Sequence, residues 1–369
     1  MRESNIDMAR GVSILAVLAY HFSLYPLSLY PPVSDHGRFG VVLFFFIRGY
    51  CMQISLAASS GALEFVIRRW SRLVPALVVC ALATHLLETS FSASPDRLQT
   101  WFDVFKNFAC IPTIDVPCGA VELGLHKYGR YIMVDGAYWS LRVEFKFYAL
   151  LAVLYFGLSK RWHVAGLLTV AALGGLSQTL RTTPDYLSDF VPYLPCFAFG
   201  ASVFEIRHGK PRFGALLLVA SVLLAVAFAM GGVSGYSIPI LTGNLWAYFV
   251  CAALILAFAT LPQVRSTPAK VLAGLGLVSY PVYLLHQDIG LVLRPVFEAF
   301  AGPMLTVWVL LPVTFVSAAY VVHHTVEYRL ERRAKAWFKA SASPPVPHQD
   351  QAAVCYGTLL PASQALRRY

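Results

Sequence analysis

Charge is scarce in this sequence: Asp, Glu, Lys and Arg make up 13% of the 369 residues and hydrophobic residues 57%, against roughly 25% and 45–50% in an ordinary soluble domain. A disordered chain needs the opposite balance, and there is no Gly-X-Y period to support a collagen. Cysteine is sparse too. The seven Cys show no CxxC pair and no Cys/His ligand spacing, so neither a zinc site nor a redox motif is supported, and a disulfide-stapled secreted domain is excluded. Cys110 and Cys118, in one polar loop, are the pair that can bridge. No internal repeat of about 20–50 residues is visible, nor a two-halves symmetry, which counts against a solenoid and against many carriers. The start, MRESNIDMAR, is polar and no small-residue cleavage site soon follows, unlike a secretory signal peptide; the first apolar stretch is expected to stay in the protein.

What the sequence has is apolar runs. A membrane helix needs about 20 mostly apolar residues, and ten segments qualify: 9–27, 39–58, 72–91, 137–158, 163–180, 190–206, 212–231, 238–261, 270–292 and 303–324. The net charge of +10 is spread over short clusters between them, including Arg68/Arg69/Arg72, Lys160/Arg161, Arg207/Lys210/Arg212 and Arg265/Lys270. With a cytoplasmic N-terminus every one of these lies inside, as the positive-inside rule demands. The basic residues therefore read as topology signals, not as a nucleic-acid surface. The expected fold is an all-α polytopic membrane protein of about ten transmembrane helices, both termini cytoplasmic. A membrane domain over 1–324 is followed at 325–369 by a basic interfacial helix, EYRLERRAKAWFKA, and a Pro-rich tail, SASPPVPHQDQ.

Charge is costly in hydrocarbon, so ionisable residues inside the runs mark function. Arg10 and His21, eleven residues apart, fall within about 20° of one helix face and roughly 16 Å apart along it. Arg suits a phosphate at the membrane edge, and His suits a proton exchanged near neutral pH. Asp7 stands one turn before Arg10 and can orient it. The plainer readings are a topology anchor for Arg10 and a carbonyl-bonded packing role for His21. Glu144 lies about 8–10 Å deeper than the expected interfacial belt of Tyr138 and Trp139. Arg142 and Lys146 sit two residues from it and face elsewhere, so its partner should come from another span, with His21 and Arg48 as the choices; a structural ion pair is the alternative. Arg48 sits among aromatics beside Gly49. Arg69 and Arg72 can hold a nucleotide phosphate or lipid headgroups, and Pro75 shortly after them fits a helix start. The ninth run carries Ser279, Tyr280, Tyr283 and His286. His286 is roughly 24 Å from the inner rim, nearer the outer face than His21, and reads as substrate-side or structural.

These segments resemble the integral-membrane acyltransferase family 3, bacterial proteins that O-acylate sugars and other acceptors. IDMARGVSILAVLAYHF is similar to the family's opening DGLRGIAILxVxxYH, FGVVLFFFIRGYCM to GVDLFFVLSGYLI, and FVIRRWSRLVPA to FxxRRxxRIxPxY. YWSLRVEFKFY resembles WSLxVExxFY, and SYPVYLLHQ resembles SYxIYLxHxP. The resemblance covers about residues 5–330, with the motifs in the family's order. It implies acyl transfer from cytoplasmic acyl-CoA, most often acetyl-CoA, to a hydroxyl of an envelope or secreted glycan. It implies no bound cofactor, a catalytic His21 supported by Glu144, Arg10, Arg69 and Arg72 near the donor, and residence in the bacterial inner membrane. Tyr138, Trp139, Ser279, Tyr280, His286 and Arg48 are expected on the substrate side. Two departures stand out: Arg48 replaces the family's usual Ser, and Val42 its Asp. Competing expectations are a polytopic transporter of a small anionic or sugar substrate, and a non-catalytic scaffold.

Overall fold

The computed structural model describes residues 3–23, 37–91, 101, 104, 134–183, 185–208, 210–233, 244–264 and 266–342. Among them all regular structure is helical. That is what apolar runs must do in lipid, where each backbone polar group needs a partner within its own segment. The principal helices are α1 (Ser4–Ser23), α2 (Phe39–Ala57), α3 (Ala62–Phe91), α4 (Trp139–Ala152), α5 (His163–Thr179), α6 (Leu194–Arg207), α7 (Pro211–Met230), α8 (Leu245–Thr260), α9 (Thr267–Leu285), α10 (Asp288–Leu305), α11 (Leu311–Val322) and α12 (Tyr328–Ala342). Each of the ten apolar segments is occupied by a helix. Five helical runs are long and apolar enough to cross a membrane: Phe39–Ala57, Ala62–Phe91, Pro211–Met230, Thr267–Leu285 and Asp288–Phe338. Cys110 and Cys118 lie outside the described residues, as does the Pro-rich tail from 343.

Two boundaries differ from expectation. α3 starts at Ala62, not at 72, and carries Pro75 in its interior. Its first turn is fixed by Glu64, which accepts from the Ser60 N–H at 2.7 Å and pairs with Arg68; hydropathy alone does not register such a polar helix start. The run expected over 270–292 is split. α9 ends at Leu285, and α10 begins where the Asp135 carboxylate accepts the Asp288 N–H at 3.2 Å while Asp288 accepts the Gly136 N–H at 3.2 Å. This reciprocal capping ties the start of α10 to the turn leading into α4. α10 is itself broken at Gly302, whose φ of +74° only glycine adopts readily, with Pro303 restarting the helix.

Glycines set the closest helix contacts. A Cβ on Gly276 would stand 1.8 Å from the Asp7 carbonyl oxygen, and one on Gly11 would stand 2.2 Å from that of Leu272, so α1 and α9 touch backbone to backbone. In α2 and α6, Gly49 and Gly200 meet the Phe197 and Phe46 carbonyls in the same way. Lipid offers no hydrophobic drive for helices to associate, and such small-residue seams supply the contact instead. Around α2, Phe147 stacks on Phe197 with centroids 3.8 Å apart, and Phe45 packs on Tyr193 and Trp139. At the N-terminal end, Glu3 binds Arg207 (2.8 Å) and the Tyr50 hydroxyl (2.9 Å), while Asn5 donates to the Leu261 carbonyl, gathering the ends of α1, α2, α6 and α8.

Candidate active site

Arg48 is 8% exposed, so its charge requires a counterion. Glu144 provides it: Arg48 Nε lies 2.9 Å from Glu144 Oε1, and the Tyr148 hydroxyl donates to the same oxygen. Of the two partners expected for Glu144, Arg48 is the one it meets. The charges of Arg72, Arg69 and Arg10 also act on this carboxylate, so α1, α2 and α3 bring four arginines within electrostatic reach of one buried acid. Other carboxylates pair with the same arginines. Arg10 binds Asp7 at 2.8 Å and reaches Cys51 Sγ at 3.2 Å, while Arg72 lies 3.9 Å from Glu327, which is bonded to His323 at 2.6 Å. Glu331, from α12, acts on both Arg69 and Arg72.

Beside the Arg48–Glu144 pair is a cavity of about 30 Å³ between α2, α4 and α9, lined by Arg48, Glu144, Ser140, Ser279, Tyr280 and Tyr283 among others. It has room for about one water. Its hydroxyls are engaged: Tyr280 donates to the Leu73 carbonyl (2.9 Å), Ser279 to that of Gly276 (2.8 Å), and Tyr283 to that of Ala137 (2.7 Å). Ser140 and Tyr283 hydroxyls are 2.8 Å apart. Tyr138 and Trp139 lie outside this lining. Tyr138 is not an interfacial belt residue: it is fully buried and donates to the Leu284 carbonyl at 3.1 Å.

Tyr283 connects this cavity to a second feature. Its ring is 5.4 Å from that of His286, and His286 stands edge-to-face against His21 with centroids 4.8 Å apart. The two imidazoles expected at different depths are neighbours. The reason is the seam: α1 and α9 run parallel from the Gly11/Gly276 crossing, and each histidine follows its glycine by ten residues. Rim distances hide this relation, but the matched Gly-to-His intervals were readable in the sequence. His286 is fully buried; its Nδ1 lies 2.8 Å from the Tyr283 carbonyl, and its Nε2 has no hydrogen-bond partner among the described residues.

Two supports escaped the sequence reading. Arg294, buried in α10, donates to the Phe22 carbonyl at 3.3 Å and pairs with Glu298 at 2.6 Å, so it caps the last turn of α1, the turn that carries His21. Asp135, just before α4, is fully buried, and burial together with the neighbouring Asp288 holds its carboxyl well above the usual carboxylate range. Among the described residues no group of three or more His, Cys, Asp or Glu is placed to hold a metal.

Comparison with known proteins gives a match to an acyltransferase domain over residues 3–323. An O-acetyl transferase of Shigella phage Sf6 is 25% identical over 303 residues, 77% of this chain and 84% of that protein. Nodulation protein 10 of Rhizobium leguminosarum bv. viciae is 30% identical over 266 residues, 67% of this chain and 70% of that one. No solved structure matches significantly.

Proposed function

This chain belongs to the family defined by that acyltransferase domain, and from that premise we propose that it transfers an acyl group, acetyl foremost, from cytoplasmic acyl-CoA to a hydroxyl of an envelope or secreted glycan. That it is an O-acetyltransferase follows from the family and the phage relative. The donor, the acceptor and the roles below belong to the proposal, as do ten membrane crossings with both termini cytoplasmic, a bacterial inner membrane, and a tail from 325 lying outside the transmembrane domain.

The observation that carries the reading is the alignment of three features: four arginines around Glu144, a small polar cavity beside them, and an imidazole pair reached through Tyr283. Arg10, Arg69 and Arg72 would bind the phosphates of the donor, since guanidinium forks match phosphate oxygens. The cavity, widened by the donor's arm, would lead the thioester toward His21. There the acceptor oxygen bonds to the acyl carbon, the carbon–sulfur bond breaks, and the hydroxyl proton passes by way of an imidazole to the departing thiolate. His21 serves either as that base or as a transient acyl carrier. Glu144 holds Arg48 and sets the charge of the cluster.

The test is acetyl transfer from labelled acetyl-CoA to extracted envelope and secreted glycans, comparing wild type, His21→Ala and empty vector at matched membrane levels. Label confined to wild type is expected and would identify the acceptor fraction. Equal label in wild type and His21→Ala would remove His21 from the chemistry, and sugar flux without acyl-CoA consumption would favour a transporter.

A further inference from the structure

We propose that His286 Nε2 is the base that takes the acceptor hydroxyl's proton, an assignment that rests on the O-acyltransferase reading above. A backbone contact fixes the tautomer of this ring. Nδ1 of His286 lies 2.8 Å from the Tyr283 carbonyl, and a carbonyl oxygen only accepts, so Nδ1 carries the hydrogen. In the neutral ring Nε2 then presents a bare lone pair. That nitrogen is buried with no hydrogen-bond partner among the described residues, whereas buried polar atoms are nearly always paired. That lone pair is open to a donor, and a substrate hydroxyl is one.

The surroundings fit the task. The His21 ring stands 4.8 Å away, and Tyr283 joins His286 to the cavity wall. Titratable groups near this turn include Asp135, which accepts from the Ala137 and Asp288 N–H groups, Asp288, which accepts from that of Gly136, Tyr138 on the Leu284 carbonyl and Arg294 on that of Phe22. Fixing one ring nitrogen on a backbone carbonyl is the usual way to set which nitrogen of a histidine works.

In the step itself, the acceptor oxygen forms the ester bond to the acyl carbon and its proton moves to Nε2. The bond from that carbon to its carrier breaks: the CoA sulfur in direct transfer, or a His21 nitrogen that has already taken the acyl group from CoA and released the thiolate. In either route the thiolate's electron pair then takes the proton from Nε2, which returns His286 to neutrality. This assignment moves the base from His21 to His286 and leaves His21 to carry the acyl group or to polarise its carbonyl.

The experiment measures kcat, KM for acetyl-CoA and the pH profile in membranes containing wild type or His286→Asn, with the acceptor fraction identified for wild type. An Asn amide keeps a donor for the Tyr283 carbonyl and deletes the base. A kcat at least about 100-fold lower, the smaller end of what a positioned base contributes, is expected. KM for acetyl-CoA should stay within about two-fold, and the acidic limb of the kcat profile should disappear. A His286→Asn enzyme retaining more than about a tenth of wild-type kcat, or keeping the acidic limb, overturns the proposal. If this variant falls below wild-type abundance, His286→Gln is scored by the same criteria. Wild type that moves no acetyl group overturns the O-acyltransferase reading and this assignment with it, whereas active wild type beside active His286→Asn overturns this assignment alone.

Discussion

Arg48 is one of two points at which this chain departs from the pattern it resembles, and Glu144 accounts for it: a buried guanidinium needs a buried acid, and the two are 2.9 Å apart. Removing one partner strands the other, at a cost of about 3–5 kcal/mol. Glu144→Gln should therefore lower the amount of folded protein recovered in detergent. Adding Arg48→Ser should restore abundance if the pair is structural, and activity per folded molecule then reports whether Glu144 has a chemical part as well. Arg10 makes a different prediction. If it binds the donor, Arg10→Ala should raise KM for acyl-CoA by about 10-fold or more, the size of a lost charge-assisted bond, and change the acceptor KM little; an unchanged donor KM would reject the role. At this scale the sequence was informative wherever one helix sufficed. Arg10 and His21 share a face because of helical spacing alone, and the need of Glu144 for a distant partner followed from its neighbours at i±2. The contact between His21 and His286 was only half legible: the equal Gly-to-His intervals stand in the sequence, but which two glycines cross does not.

Among the elements, the seam between α1 and α9 matters most. Gly276→Ala places a methyl 1.8 Å from the Asp7 carbonyl oxygen, which neither backbone can relieve without separating. A loss of about 1–3 kcal/mol is expected from overpacking, read as a lower melting temperature together with reduced acetyl transfer. Gly274→Ala, two residues away and facing open space, is the control and should be neutral or slightly stabilising. Arg294 tests the other end of α1: Arg294→Ala deprives the Phe22 carbonyl of its donor, and kcat should fall more than abundance does because His21 sits in that turn. Helix positions were readable from hydropathy, as lipid demands. The early start of α3 and the division between α9 and α10 were not, because polar capping by Glu64, Asp135 and Asp288 decides them while the apolar pattern continues across.

For the molecule as a whole, composition already required a helical membrane protein, and five helical runs are long and apolar enough to span a bilayer. The motifs pointed to the family that the domain match bears out. The acceptor was not legible, since sugar-binding aromatics and interfacial aromatics look alike in sequence. In proteoliposomes the protein should release one CoA for each ester formed, counted by thiol titration beside labelled product; CoA release with no ester would mean hydrolysis instead. The shared crossing of α1 and α9 has one more consequence. Gly11 and Gly276 act as the pivot of a calliper whose two legs, each ten residues long, bring their histidine tips to the same height. Deleting one residue from either leg would swing its tip through about 100° and draw it back about 1.5 Å. Loops elsewhere can drift in length, but these two intervals can change only together, and only by whole turns of helix.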